Sequence, residues 1–463
     1  MSNEHPRKIY TLADLPPEVK AVTFAKCSRS PKSFKEIAAE LTEEKSAEFH
    51  EKWVVGYGHS SVAEHAVLSI AMENVSILAT KVIEDNRLAS YTEQSTRYQL
   101  YDRNRYYKPK EIMNSEFASL YEEVGNFLFD TYLSLSEKVI DFVKRKNPKK
   151  PNQPEKMYET ICKAGACDII RHLLPIATLT NLGTTINARS LEHMIRKLLS
   201  HPLSEMQEIG QEIKEVARGV TPTLIKYADY NAYLVDTRQA LPKMASEVLD
   251  IKEIRDTESV TLVKYDKDVE DRIACAILYG ASKFSYHQIQ DKVKKMSKVE
   301  KEKIIDAALN KMSEHDWPIR EFEHTDYTFD ILINYGAFRD IQRHRICTQT
   351  NQEITCDYGY DLPEDVVEAG YEKEFKACMS KAEDAYHKIA KKFPLEAQYI
   401  IPLAYRKRVL YTWNLRELFH FIKLRSGKRG HPAYRRIAQK IYDEITKVHP
   451  FLAKYITVDK SKA

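Results

Sequence analysis

Two heptapeptides, Asn187-Ala-Arg-Ser-Leu-Glu-His193 and Asn414-Leu-Arg-Glu-Leu-Phe-His420, place Asn, Arg and His at the same three positions. They are not an isolated pair. Earlier in each half a Glu-His dipeptide, Glu64-His65 or Glu323-His324, precedes alternating apolar residues. These are Leu68, Ile70 and Met72 in one half and Phe329, Ile331 and Ile333 in the other, each followed by helical periodicity, over about 76–86 and 336–344. Each half therefore reads as strand, helix and polar loop, and later as a new helix start. The chain is a diverged internal duplication. The offsets between matched motifs are 259 and 227 residues, so insertions separate the copies and a short-period repeat array is excluded.

A duplication of this size needs two cores, and 463 residues with 43% hydrophobic content supply them. Lys and Arg number 71 against 67 Asp and Glu, a balance that gives no charge argument for nucleic-acid binding. Gly is only 13 of 463, which points to a helix-rich chain without a glycine-rich phosphate loop. The seven cysteines are scattered, with no C-x-x-C pair, and no apolar run has the length of a signal peptide or a membrane span. The expectation is a soluble, cytoplasmic protein of a reducing compartment, with no metal site and no membrane association.

Apolar periodicity predicts helices over 116–146, 206–228 and 432–447. The first runs into Lys144-Arg-Lys-Asn-Pro-Lys-Lys-Pro151, which reads as a solvated basic loop. The stretch 229–258 reads as irregular, with Pro242 inside it, and Val260–Tyr265 as a strand. The boundary between copies is accordingly set at 240/241.

Three constellations could carry chemistry. Gln342-Arg343-His344-Arg345, at the end of a helix, concentrates two guanidiniums around an imidazole, which suits phosphates and planar heteroaromatic rings. A solvated basic helix end is the competing reading. In the other half, Glu93, Ser95 and Arg97 alternate and could converge on one polar ligand from an extended segment. His59-Ser-Ser61-Val-Ala-Glu64-His65 gathers two histidines and a carboxylate without zinc-helix spacing.

With these residues in view, the chain resembles the flavin-dependent thymidylate synthases. That family carries a signature of the form R-H-R-x-x-S-x-N-E-x-S-x-R-Y, preceded by H-x-S/T-x-x-E-H and followed by R-x-x-L-P, N-A-R-S-L and L-R. Arg343-His344-Arg345 resembles the start of the signature and Thr92–Tyr98 its end. His59, Ser61, Glu64 and His65 match the preceding motif, Arg171–Pro175 and Asn187–Leu191 the later ones, and Leu424-Arg425 the last. The resemblance implies a helix-rich α/β (α+β) fold of two tandem synthase-like domains, 1–240 and 241–463, forming an internal pseudo-dimer.

The departures sort by half. The first half has Asp85-Asn86-Arg87 in place of Arg-His-Arg and Leu198 at the L-R arginine, but keeps Glu93, Ser95, Arg97 and Arg171. The second keeps Arg343, His344, Arg345 and Arg425, but has Asp357 and Gln398 where the other arginines belong. In the family, one subunit supplies the first set and its neighbour the second. One composite nucleotide site is therefore expected, with a dead mirror site where carboxylates would repel a phosphate.

The resemblance further implies FAD as cofactor, a dUMP-like nucleotide as substrate, methylenetetrahydrofolate and NADPH as partners, and a homodimer holding four domain copies. It implies Arg425 as the catalytic cation. Gln342, Arg343, Glu93, Ser95, Arg97 and Arg171 would bind substrate. His59, Ser61, His344, Arg345, Asn414, Arg416 and His420 would contact the cofactor. A non-catalytic nucleotide-binding paralogue, and a flavin-dependent methyltransferase acting on another pyrimidine or on RNA, are the alternatives.

Overall fold

The computed structural model describes residues 7–56, 59–251, 254 and 257–462. Along the first copy run β1 (Val67–Ser76), α1 (Ile77–Ile83), β2 (Ala89–Glu93), α2 (Ala118–Lys146), α3 (Glu155–Ile170), β3 (Leu179–Asn187), α4 (Ala188–Leu199) and α5 (Ser204–Arg218), followed by α6 (Ala232–Val248). The second copy runs β4 (Val260–Tyr265), β5 (Asp326–Asn334), α7 (Tyr335–Ile341), β6 (Thr348–Asn351), α8 (Glu372–Ala390), β7 (Arg406–Asn414), α9 (Leu415–Ser426) and α10 (Pro432–Val448). The fold is helix-rich α+β. Its two antiparallel sheets share an order, β1-β3-β2 and β5-β7-β6, with β4 added at the β5 edge of the second.

Polar caps fix where each helix leaves its strand. The Ser76 hydroxyl accepts from Ala79 N (2.9 Å) and the Asn334 side chain from Ala337 N (2.8 Å), so β1–α1 and β5–α7 turn alike. Asn187 accepts from Ser190 N (2.8 Å) and Asn414 from Glu417 N (2.9 Å), so the shared Asn of the heptapeptides is the start signal of α4 and α9. β1 alternates exposed and buried residues over its first half, as a one-sided strand should. β5 is buried on both faces, where Phe329 lies opposite Tyr411 and the Tyr411 and Trp413 rings stack at 4.5 Å.

In space the described residues form two compact units, and neither is continuous in sequence. The first takes residues from 1–94, 105–116 and 177–250; the second takes 95–104, 117–176 and those from 251 onward. A cut at 240/241 separates the sequence copies but does not coincide with this division. The long helices α2 and α3, with the turn after them, belong to the second unit, where α2 packs against α8. Within that unit the matching Leu-Pro and Ile-Pro segments of the two copies pair with each other. Ile176 N donates to Ile401 O (2.9 Å), Leu403 N to Leu174 O (2.9 Å) and Ala404 N to His172 O (3.1 Å), with Pro175 facing Pro402.

Three local expectations need correction. Residues 232–248 are helical rather than irregular, because Asn231 caps the segment, which carries Pro242 inside a helix with no buried residue. The helix expected over 206–228 stops at Arg218, where Gly219 follows and the buried Glu18 carboxylate captures Thr223 N (2.9 Å) and Leu224 N (3.1 Å) into a turn. Residues 94–98 do not extend β2. The Ser95 hydroxyl accepts from Arg97 N (3.1 Å) and bends the chain.

The close approach of α5 to α4 supplies a stability test. A Cβ at Gly210 of α5 would lie 2.9 Å from Leu198 Cβ and 3.2 Å from Leu199 N of α4. Gly210→Ala should therefore cost about 1–3 kcal/mol by forcing the pair apart, read as a lowered urea midpoint at unchanged slope.

Candidate functional site

The end of α3 sets the site. Arg171 is the first residue beyond the helix, and its side chain is only 3% exposed. Asp168, one turn earlier, reaches Arg171 Nε at 3.7 Å, and Asp340 of α7 reaches Nη2 at 3.8 Å. Both distances suit charge attraction but are too long for hydrogen bonds, and among the described residues neither Nε nor Nη2 has a hydrogen-bond partner. Burial lowers the Arg171 pKa, against the pull of Asp168 and Asp340.

Asp168 is committed elsewhere. Its carboxylate accepts a bidentate pair from Arg97 Nε and Nη2, both at 2.7 Å. Burial opposes the Arg97 charge, but the Asp168 hydrogen bonds and charge outweigh it and raise the pKa. Next to Arg97, the Thr96 hydroxyl accepts from Arg339 Nη1 (3.2 Å). Arg425, near the end of α9, lies with its guanidinium 5.4 Å from the Tyr434 ring centre. Burial lowers its pKa and the Arg343 charge adds to that, while Asp340 opposes. Asp340 acts electrostatically on Arg97, Arg171 and Arg425 alike, so one carboxylate marks the centre of the group.

Arg425 Nε donates to His344 Nε2 (2.9 Å), which requires a neutral imidazole with its proton on Nδ1. Burial, and then Arg425, keeps the His344 pKa well down. His344 faces His420 at 5.6 Å, and Trp317 stacks on His420 at 4.3 Å. Arg416 is tied to the Pro318 carbonyl (2.7 Å) and to Glu323 (3.1 Å), and Asn414 serves as the α9 cap.

The second unit thus brings together Arg97, Arg171, Arg343 and Arg425, with Ser95 beside Arg97 and with Gln342 and Arg345 flanking the Arg343–His344 pair in sequence. The rest of the expected set lies in the first unit. Glu93 ends β2 and accepts from Thr80 Oγ1 (3.2 Å). His59 and Ser61 line a cavity of about 630 Å³ with Trp53, Lys26 and Arg29, the Arg29 guanidinium lying 4.7 Å from the Trp53 ring centre. In the basic run, Lys144, Lys146 and Lys149 face Glu159, Asp365 with Glu368, and Glu155, so its charge is locally paired.

Sequence reasoning passed over Asp168, Asp340, Arg339, Tyr434 and Trp317. Asp168 and Asp340 each precede a selected arginine by three residues, one helical turn, which was the available signal. Nothing local marked Tyr434 or Trp317. Among the described residues no His, Cys, Asp or Glu cluster could hold a metal, and no helix is long and apolar enough to cross a membrane.

Comparison with known proteins returns one family. The model described as thymidylate synthase complementing protein matches the chain twice, at residues 11–223 and 261–451. A Chlamydia pneumoniae protein named only UPF0159 is 33% identical over 96% of this chain and 90% of its own length. A Clostridium tetani flavin-dependent thymidylate synthase is 29% identical over 46% of this chain and 82% of its own. Among solved structures, a Helicobacter pylori flavin-dependent thymidylate synthase complexed with FAD and dUMP aligns with 44% of this chain and 100% of its own, at 19% identity and a TM-score of 0.33.

Two buried histidines beneath the arginines make stability depend on pH. His172 and His431 face each other at 5.4 Å. Burial, and then Arg171, pushes the His172 pKa down to about 4 and the His431 pKa well below its usual value. Each is neutral in the fold but titrates near ~6.5 when unfolded. Their contribution is full above that pH and is lost as pH falls toward the folded values, at up to about 1.4 kcal/mol per pH unit per group. Urea midpoints should drop between pH 7 and pH 5, and the His172→Gln, His431→Asn double variant should flatten that drop.

Proposed function

The chain belongs to the thymidylate synthase complementing protein family, the flavin-dependent thymidylate synthases, and from that premise we propose that it catalyses reductive methylation of dUMP to dTMP with FAD, methylenetetrahydrofolate and NADPH. The observation that carries the proposal is the Arg171 guanidinium, buried with two nitrogens unmatched. A buried cation held at long range by two carboxylates gains most from an anion that meets it directly. Arg97, Arg171 and Arg425 lie in the field of Asp340, and the histidines beneath are neutral. Such a gathering of guanidiniums suits a phosphate dianion.

The residues divide the work. Arg171 and Arg343 neutralise the phosphate. Asp168 holds the Arg97 fork, and the Ser95 hydroxyl, already accepting from Arg97 N, keeps its proton to donate to a phosphate oxygen. Arg425 is the catalytic cation. Neutral His344 fixes its Nε, so its remaining N–H groups are oriented before any charge develops on the pyrimidine. No cysteine is needed as a nucleophile; burial raises the Cys356 thiol pKa, and Cys347 Sγ hydrogen-bonds the His344 carbonyl.

The donor set also fits FAD. His344, Arg345, Asn414, Arg416 and His420 in the second unit, and the cavity of His59, Ser61, Trp53, Lys26 and Arg29 in the first, offer aromatic faces and cations suited to a flavin ring and its phosphates. When bound, FAD supplies the two-electron redox chemistry. Within the same proposal the protein works as a homodimer, which light scattering would check.

The reading is tested by the visible spectrum of the purified protein and by dUMP titration. Bound flavin and saturable dUMP binding are expected. Arg171→Ala and Arg97→Ala should each weaken dUMP about 100-fold, whereas Arg425→Ala should retain most binding and lose turnover by about 100–1,000-fold. A flavin-free protein, or an Arg171→Ala variant that binds dUMP as tightly as the parent, overturns it.

A further inference from the structure

In the second copy, two side chains from elsewhere in the chain lie along α9. His344 is one. Its ring lies 5.0 Å from Phe421, edge to face at 76°, and 5.6 Å from His420, and its Nε2 accepts from Arg425 Nε (2.9 Å). Trp317 is the other. Its indole stacks on His420 at 4.3 Å and 24°, with the Arg416 guanidinium 5.8 Å from its ring centre. His420 is therefore the neighbour that Trp317 and His344 share. All of these residues belong to the second unit.

Trp317 is not there as core. It is 50% exposed, beside a cavity of about 380 Å³ that it lines with His420 and Lys423. Its backbone is tied to α9 instead: Arg416 Nε donates to the carbonyl of the next residue, Pro318 (2.7 Å), and Arg416 Nη1 pairs with Glu323 (3.1 Å). The first copy shows which part is extra. It keeps the anchor, since Arg189 pairs with Glu64, and it keeps a histidine, His193, at the place of His420. The helix caps (Ser76 with Asn334, Asn187 with Asn414) and the Glu-His dipeptides set the rest of the register. Gly58 then stands at Trp317, Asn86 at His344, Met194 at Phe421 and Leu198 at Arg425. Asn86 turns back to donate to the Ile83 carbonyl (2.9 Å). The indole and the histidine–arginine pair thus occur together in one copy and are absent together from the other.

We infer that Trp317 is a positioning residue for the catalytic cation: by stacking on His420 it holds that ring against His344, and so keeps the His344 Nε2 lone pair aimed at Arg425 Nε. The inference rests on the synthase reading, which makes Arg425 that cation. Its physical basis is conformational entropy. A single hydrogen bond between two side chains with free torsions fixes neither of them, whereas packing rings beside His344 restricts both. Phe421 is a buried ring of α9 itself, but His420 is only as fixed as its stacked face, which Trp317 covers. Removing the indole takes no charge from the site and loosens only the aim.

The experiment compares Trp317→Ala and Trp317→Phe with the parent, each as the full-length protein supplied with FAD, methylenetetrahydrofolate and NADPH. Trp317→Ala should lower kcat on dUMP about 10-fold while the dUMP Kd and the flavin content stay within about 2-fold. Trp317→Phe, which still stacks, should recover most of the loss. In an Arg425→Ala background Trp317→Ala should cost nothing further, because the indole acts through that arginine. Urea unfolding of each variant confirms that it is folded. A second readout does not need turnover: the imidazole nitrogen resonances, with His344 assigned by its loss in His344→Gln. The parent and Trp317→Phe should show the Nδ1–H tautomer at His344, and Trp317→Ala an average of the two tautomers. An unchanged kcat in Trp317→Ala, a parallel loss of dUMP affinity, or a further loss beyond Arg425→Ala overturns the inference. A parent that holds no flavin and turns over no dUMP overturns the synthase reading instead. The His344 resonances then decide: an unchanged tautomer in Trp317→Ala ends this inference too, and an averaged one upholds Trp317 as the hold on the His344–Arg425 pair.

Discussion

Burying a guanidinium costs several kcal/mol unless charge and hydrogen bonds answer it, and much of the second unit is arranged around that cost at Arg171. Asp168 and Asp340 supply charge without completing the hydrogen bonds. His172 and His431 stay neutral rather than add to the repulsion. The backbone of 172–176 is pinned by pairing with 401–404, which fixes the main chain beside the residue following α3. The unmet nitrogens are what such an arrangement leaves available.

The two copies meet the same electrostatic problem with different chemistry. At the second copy's α7 and α9 the cations are guanidiniums, whose planar forks suit oriented contacts, and one is aimed by a neutral imidazole. At the first copy's α1 and α4 they are lysines gathered under a carboxylate. Point charges on flexible stems can neutralise a phosphate but hold a ring poorly. Divergence after duplication has thus left guanidiniums in one copy and lysines paired with a carboxylate in the other.

Much of this was legible in the residues. Alternation at 68–72 and 329–333 gave β1 and β5, and the paired heptapeptides gave the starts of α4 and α9, because capping and periodicity are local physics. The gathering of Arg97 and Arg171 with Arg343 and Arg425 was readable only through the way losses in one copy complemented retentions in the other. What stayed hidden was set by tertiary partners. Glu18 ends a helix more than 200 residues away. Ser95 bends a segment whose alternation reads as strand. Asp340 balances arginines from three separate stretches of chain, and no single window contains that relation.

The pairing of 172–176 with 401–404 has a consequence for how this gene can evolve. The helices and the turn that carry Arg171 are encoded in the first copy but fold into the same compact body as the second. Fission between the copies would therefore not release two self-sufficient proteins. One fragment would carry long helices stripped of their packing partners, and the other would lack the ends of its own core. Once the first copy had placed these segments in the body of the second within one polypeptide, fusion became hard to undo, and selection could thereafter act on each copy as a part rather than as a whole.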